Sequence, residues 1–324
     1  MITESVDARD VRHALELAAR APSLHNTQPW TWRYDEHTVE LYANFKRWLP
    51  ATDTATRDLV LSCGAALHHL RLTLAAAGTA ASVDRRTQPD PLDHLATLRL
   101  QRSPASQADL RMAAMITRRR TDRRRYGDWP IPDVFLDELQ ACAAREGAVL
   151  RVLDSAADRT AVTDALRDAA RDQEDAATYM IETALWSGRP AGDDGIPPAN
   201  LLVDAEGTGD GLARRFEPGS IDQESGPDGA VLLVLGTASD DPVSRLRAGE
   251  ALSAVLLHAA DVGLATCPLS QPLEVASTYR ALRDDVLGGQ LAPQVVIRVG
   301  WAPPEPLPPT PRRQSDGLIE RIRA

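Results

Sequence analysis

The chain has 324 residues, 36 of them basic and 46 acidic, for a net charge of −10, with 43% hydrophobic and 25% charged residues. That length allows a substantial core, and that composition excludes a mostly disordered chain. The negative balance disfavours a sequence-independent grip on nucleic acid, which needs surplus cations. No apolar stretch reaches the roughly 18 residues needed to cross a bilayer, and the acidic start, residues 1–10, does not read as a secretion signal. A cytoplasmic chain without membrane or nucleic-acid partners is expected. Cys63, Cys142 and Cys267 are too few and too scattered for a disulfide framework or a thiolate metal site, so they read as reduced core residues.

In chain order, a helical pattern over 10–20 leads through a proline-bracketed loop, Pro22-Ser23-Leu24-His25-Asn26-Thr27-Gln28-Pro29-Trp30, to a strand over 31–34. Apolar spacing predicts a buried helix over 64–78 that stops at its glycine, then a strand over 95–100. The same order returns as a helix over 133–145, a strand over 149–153, a Gly-stopped helix over 249–263 and a strand over 294–299. The segments that start at Gly64 and Gly249 share small or apolar residues at equal offsets. Two related α+β halves, residues 1–110 and 111–324, are therefore expected. The second half also carries a long helical region, 158–186, and a strand over 230–235. Between them, 187–228 is rich in Gly, Pro and acidic residues and reads as a lid or as an insertion without a role.

Each half keeps a component that the other lacks. The first has the loop 22–30, whose hydroxyl, amide and imidazole groups suit the edge of a polar heterocycle or a polyol. The second has Arg118-Arg119-Arg120-Thr121-Asp122-Arg123-Arg124-Arg125, six guanidinium groups in eight residues of an acidic protein. Three readings are open for this cluster: a solvated basic turn, a nucleic-acid patch, or a clamp for a small phosphate, which arginine grips bidentately. Arg312 and Arg313 end a stiff Pro-rich run that can bring them back to the same anion. Residues 266–272 form a polar connector after the second buried helix. Dinucleotide, P-loop, zinc-protease and nucleophile-elbow fingerprints are missing. His68 and His69 point about 100° apart on a helix and read as ordinary helix histidines, one inward and one outward. Trp30, Trp32, Trp48, Trp129 and Trp186 read as core residues.

Arg119-Arg120-Thr121-Asp122-Arg123 resembles the Arg-Arg-Ser-x-Arg element of nitroreductase-like flavoproteins, and the loop 22–30 resembles their Pro-Ser-x-x-Asn-x-Gln-Pro-Trp loop. Gly300-Trp301-Ala302-Pro303, followed by Arg312-Arg313, is similar to their C-terminal segment. The loop here precedes the arginine element, an order that resembles the Acg family of actinobacterial NAD(P)H nitroreductases, in which one long chain imitates the family dimer. The resemblance implies a nitroreductase-like α+β fold with a lid and a single FMN at the seam between halves. It implies a monomeric oxidoreductase that takes electrons from NAD(P)H to a small electron-poor acceptor, a nitroaromatic or a quinone. A protein that stores or sequesters FMN under its lid is the alternative. By the resemblance, Arg119, Thr121, Arg123, Arg312 and Arg313 hold the phosphate and ribityl chain. Ser23, Asn26, Gln28 and Trp30 approach from the other half, and Leu269, Ser270 and Gln271 sit where the family offers backbone N–H to the ring. No metal is expected and no catalytic side chain is assigned.

Overall fold

The computed structural model describes residues 6–85, 93–189, 192–203, 214, 216, 219–221 and 228–322. Asp7 opens the first helix, α1 (Ala8–Ala18), by accepting a hydrogen bond from the Arg9 backbone N–H at 2.8 Å. Its Val11, Ala14, Leu15 and Ala18 recur at helical spacing and are buried. The antiparallel pair β1 (Trp30–Tyr34) and β2 (Thr38–Ala43) follows, then the long helix α2 (Arg57–Ala76). Next come β3 (Thr79–Arg85), β4 (His94–Arg102) and α3 (Gln107–Arg118), the last closed at its start by a reciprocal Ser106–Asp109 capping box.

The rest of the chain supplies α4 (Asp133–Arg145), β5 (Val149–Val152), α5 (Ala156–Glu174), α6 (Ala177–Trp186), β6 (Val231–Thr237), α7 (Pro242–Asp261) and β7 (Ala265–Leu269). The short helices α8 (Gln271–Glu274) and α9 (Ala276–Ala281) lead to β8 (Ala292–Gly300) and the terminal strand β9 (Ile319–Arg321). One sheet runs β3-β4-β2-β1 and the other β7-β8-β6-β5, with every one of these pairs antiparallel. The two sheets share one order and one sense. β9 then returns to the first sheet and adds parallel to β1, with Trp32 opposite Ile319. This return path carries residues 303–313 past the loop 22–30.

The two sheets meet through α2 and α7. A Cβ built on Gly64 would lie 2.0 Å from the Leu246 carbonyl oxygen, and one on Gly249 would lie 2.0 Å from the Leu61 carbonyl oxygen. Each glycine faces the other helix's backbone at the same relative place. His68 Nδ1 and Ser253 Oγ, one turn further along, are 2.8 Å apart across the same contact. Both helices are buried around much of their circumference. For α2 this corrects the sequence reading in two respects. It is long and apolar enough to cross a bilayer, but 78% of that stretch is buried inside the fold. His68 and His69 are both buried, because α1, α3, α7 and strands of the first sheet pack around the helix.

Other elements depart from the sequence reading where pattern was weak. The region 158–186 is two helices, broken at Asp175 and Ala176. The polar connector 266–272 is largely strand β7 and helix α8, because its backbone pairs with β8. Strands β2, β3 and β9 were not anticipated. Trp129 is 77% exposed and is no core residue. Much of the segment 187–228 falls outside the described residues, and only its described parts enter below.

Gly64→Ala should destabilise the fold by roughly 3 kcal/mol or more, since the added methyl meets backbone that cannot move aside. A lowered chemical-denaturation midpoint is the check. Burial, partly offset by Glu146, holds the His68 pKa down at about 4, so the unfolded chain takes up its proton first as pH falls below the usual value of 6.5. The stability that neutral His68 contributes is complete above pH 6.5 and is lost toward pH 4, at roughly 1.4 kcal/mol per pH unit. Asp53, raised to about 7 by burial, has the opposite slope. The measurement is therefore the difference between wild type and His68→Gln in unfolding free energy, which should shrink by that amount from pH 6.5 downward.

Candidate functional site

The loop 22–30 is fastened by its own polar groups. Ser23 Oγ accepts from the Gln28 backbone N–H at 2.9 Å, and Ser62 Oγ accepts from the Leu24 N–H at 3.2 Å. His25, Asn26 and Gln28 all have positive φ, 46°, 57° and 51°. Asparagine adopts such a backbone readily and histidine and glutamine less so, a strain typical of ligand-holding loops. Opposite stands the segment that follows α3. Asp122 N–H donates to the Thr266 carbonyl at 2.9 Å, which ties the segment to β7. Arg298 lies beneath it, 2% exposed, paired with Asp228 and donating to the carbonyls of Arg124 at 3.2 Å and Arg123 at 3.5 Å.

Between these walls lie two joined cavities. The first encloses about 810 Å³, including its open mouth, and is bordered by Ser23, His25, Asp58, Ser62, Cys267, Leu269, Ser270 and Gln271, with Arg214 and Phe216 from the segment 187–228. The second spans about 610 Å³, its open mouth likewise included, and is bordered by Arg20, Asn26, Arg119, Arg120, Asn200 and Arg312. Pro22, Ser23, His25, Thr121 and Arg123 line both, so the two form one elongated hollow.

The arginine end is electrically unfinished. Among the described residues no carboxylate pairs with Arg20, Arg119, Arg120 or Arg312. Arg312 is pushed down to about 9 by burial and then by Arg119, Arg20 and Arg120. Arg119 falls to about 10 by burial and by Arg120 and Arg20. The buried Nε groups of both have no partner. Concentrated, desolvated positive charge with unused donors calls for a multivalent anion. At the far side of the α2–α7 contact the buried charge is complete within the protein. There Glu250, wholly buried, meets Arg71 at 2.8 Å and Arg85 at 2.7 Å, and Arg71 also meets Glu146 at 2.6 Å. Among the described residues, one seam balances its buried charge and the other does not.

Nine of the twelve site residues expected from the sequence border the hollow: Ser23, Asn26, Arg119, Thr121, Arg123, Leu269, Ser270, Gln271 and Arg312. Three do not. Trp30 is 0% exposed within β1 and packs into the core, because alternation along the strand turns Trp30 and Trp32 to the same inner face. Gln28 is buried and serves as a bracket: its Nε2 donates to the Asp193 carbonyl at 2.9 Å and its Oε1 accepts from Arg313 N–H at 2.9 Å. Arg313 turns from the anion site to donate to the carbonyls of Gln28 at 3.0 Å and Gly317 at 2.9 Å, which anchors the returning C-terminal path.

Sequence reasoning named the imidazole of the loop, that of His25, without assigning it a site role, and missed Arg20, Asp58, Ser62, Arg214, Phe216 and the supporting Arg298. Arg20 adjoins the loop motif, so proximity was the available signal, and Arg214 and Phe216 lie in the segment 187–228 read as a lid or as an insertion without a role. Asp58, Ser62 and Arg298 come from distant segments and carried none. Asn26 Nδ2 donates to the Gly195 carbonyl at 2.9 Å and to the Pro311 carbonyl at 3.0 Å, so one side chain ties three segments together.

No family model matches the chain. It is 45% identical over 332 residues to a Mycobacterium tuberculosis (strain ATCC 25618 / H37Rv) protein named "Putative NAD(P)H nitroreductase Rv3131", covering 99% of this chain and 94% of that one. A second protein of that strain, "Putative NAD(P)H nitroreductase acg", is 38% identical over 334 residues, covering 100% and 98%. The chain belongs to the Acg family. Its α+β fold is nitroreductase-like. Among solved structures, the FMN- and NADPH-dependent nitroreductase NfnB from Sphigopyxis sp. strain HMH aligns with 64% of this chain and 97% of its own, at 18% identity and a TM-score of 0.43. A chain from Anabaena variabilis described as a putative nitroreductase covers 90% of this chain and 73% of its own, at 11% identity and a TM-score of 0.49.

Arg119→Gln should leave the ligand-free fold as stable as wild type or more so, because it relieves repulsion. It should weaken phosphate-dependent binding by roughly 10- to 100-fold, the loss of one charged hydrogen-bonding partner. Thermal unfolding with and without inorganic phosphate separates the two effects.

Proposed function

We propose that this chain is an FMN-dependent oxidoreductase that accepts electrons from NAD(P)H and delivers them to a small electron-poor organic acceptor such as a nitroaromatic or a quinone. The observation that carries the reading is the shape of charge in the hollow. A buried, uncompensated arginine group at one end suits a phosphate dianion, and the other end is broad and bordered by both apolar and hydrogen-bonding groups. Arg119, Thr121, Arg123 and Arg312 would hold the phosphate and ribityl part of FMN. Ser23, Asn26, Leu269, Ser270 and Gln271 would border the rest. FMN bound there supplies hydride acceptance and release, while the protein orients it and sets its electrostatic surroundings.

The compensated charge around Glu250 supports one FMN per chain and the division into halves, 1–110 and 111–324, that jointly imitate a dimer. A monomer accords with this reading, since both walls of the hollow come from one chain. A cytoplasmic location accords with this use of a nicotinamide donor.

One feature favours the second reading, an FMN-sequestering protein. Arg214 and Phe216 of the segment 187–228 border the broad cavity, and Arg214 is held there by a buried pair with Glu274. Purified protein should be yellow with a bound-flavin spectrum. Anaerobic bleaching by NADH or NADPH, followed by recovery on adding an acceptor, would establish the oxidoreductase; a yellow protein that neither donor bleaches would establish storage. Arg123→Ala should lower FMN affinity by roughly 10-fold or more. Equilibrium dialysis measures this, and undiminished retention would count against the assigned phosphate end.

A further inference from the structure

His25 stands in the wall that both cavities share, 6% exposed, on a backbone with φ 46° and ψ 24°. Its Nε2 lies 2.8 Å from Arg214 Nη1. A guanidinium has donors and no acceptor, so this contact forces Nε2 to be the acceptor and places the imidazole hydrogen on Nδ1. That Nδ1 is buried and has no hydrogen-bond partner among the described residues. A buried N–H without an acceptor is costly, and the His25 side chain that carries it lines a hollow suited to a ligand rich in acceptor oxygens and nitrogens.

We propose that Arg214 is a positioning residue that fixes His25 as the neutral tautomer with hydrogen on Nδ1, and that this N–H is reserved as a donor to the ligand in the hollow. The second half of this inference rests on the FMN reading above. Arg214 is itself braced. It forms a buried ion pair with Glu274, whose Oε1 also accepts from Ser270 Oγ at 2.7 Å, and its guanidinium lies 5.9 Å over the Phe216 ring and 5.5 Å over Tyr179. Phe216 meets the imidazole edge to face at 5.5 Å.

The charged and titratable groups around His25 agree with a permanently neutral ring. Burial, and then the guanidinium charges of Arg214 and Arg123, hold its pKa well below the usual value. α2 packs against the His25 turn and brings Asp58, whose charge is taken by Arg57 at 2.8 Å. α6 also packs there and brings Tyr179 and Glu182; the Glu182 carboxylate accepts from the backbone N–H groups of Thr52 at 2.8 Å and Ala51 at 3.2 Å. Glu274 of α8 is engaged by Arg214. No described carboxylate is left to stabilise an imidazolium. His25 therefore acts as a fixed hydrogen-bond donor across the physiological range, not as a proton shuttle.

Nitrogen-15 NMR of the full chain, labelled at histidine and assigned by the signal lost in His25→Asn, reads which ring nitrogen carries the hydrogen. Wild type should show hydrogen on Nδ1 and no titration around the usual imidazole value of 6.5. Arg214→Met should shift the ring toward the commoner Nε2-protonated form and bring its titration closer to pH 6.5. Hydrogen on Nε2 in wild type, or an unchanged tautomer in Arg214→Met, overturns the inference. In the ligand arm, His25→Phe should weaken FMN binding roughly 5- to 100-fold. His25→Asn, which keeps a side-chain donor and suits the left-handed backbone, should recover most of that loss. Equal FMN affinity in wild type and His25→Phe overturns the donor role. A wild-type chain that holds no FMN counts against the proposed function and against FMN as the acceptor for His25, while the tautomer result still decides the part played by Arg214.

Discussion

The close approach of α2 and α7 at Gly64 and Gly249 is the constraint on which the rest of the molecule depends. With each glycine's missing side chain occupied by the other helix's carbonyl oxygen, the two helices can pass at backbone distance and draw the sheets behind them into register. Two seams result from one contact. Along one, Glu250 gathers Arg71 and Arg85, and buried charge cancels within the protein. Along the other, the loop 22–30 and the arginine segment face each other across a hollow with no described carboxylate to cancel Arg20, Arg119, Arg120 and Arg312. A helix pair that sat further apart would open both seams to water and remove the low-dielectric setting that makes this imbalance count.

The hollow is kept in shape by residues that do not border it. Arg298 and Asp228 support the arginine segment from below, and Gln28 and Arg313 bind the loop to the returning C-terminal path. Asn26 does both tasks, bordering the hollow and joining it to residues 195 and 311. The site is thus assembled from parts separated by up to about 290 residues, and β9 closes the arrangement by pairing with β1. Such cross-bracing suits a ligand that must be held in one orientation for electron transfer.

Much of this was legible in the chain itself. The two buried helices announced themselves by apolar spacing and by stops at Gly78 and Gly263, both of which have positive φ. The arginine segment and the loop 22–30 stood out by composition, although a solvated basic turn stayed open for the first until its burial was seen. Less legible were β2, β3 and β9, short strands without long apolar runs, and the break between α5 and α6, where no proline or glycine marks the boundary.

What the sequence determined by itself was the set of parts, since helical periodicity, glycine stops and clustered like charge are local properties read within a dozen residues. What only the tertiary structure decided was the direction in which each side chain points. Gln28, Trp30 and Arg313 belong to the same segments as Ser23 and Arg312 yet turn to the core or to backbone carbonyls. His25 and Arg214, 189 positions apart, come within 2.8 Å of each other. Strand alternation, left-handed turns and the path of the returning chain set those directions, and each depends on partners that lie far away in the sequence.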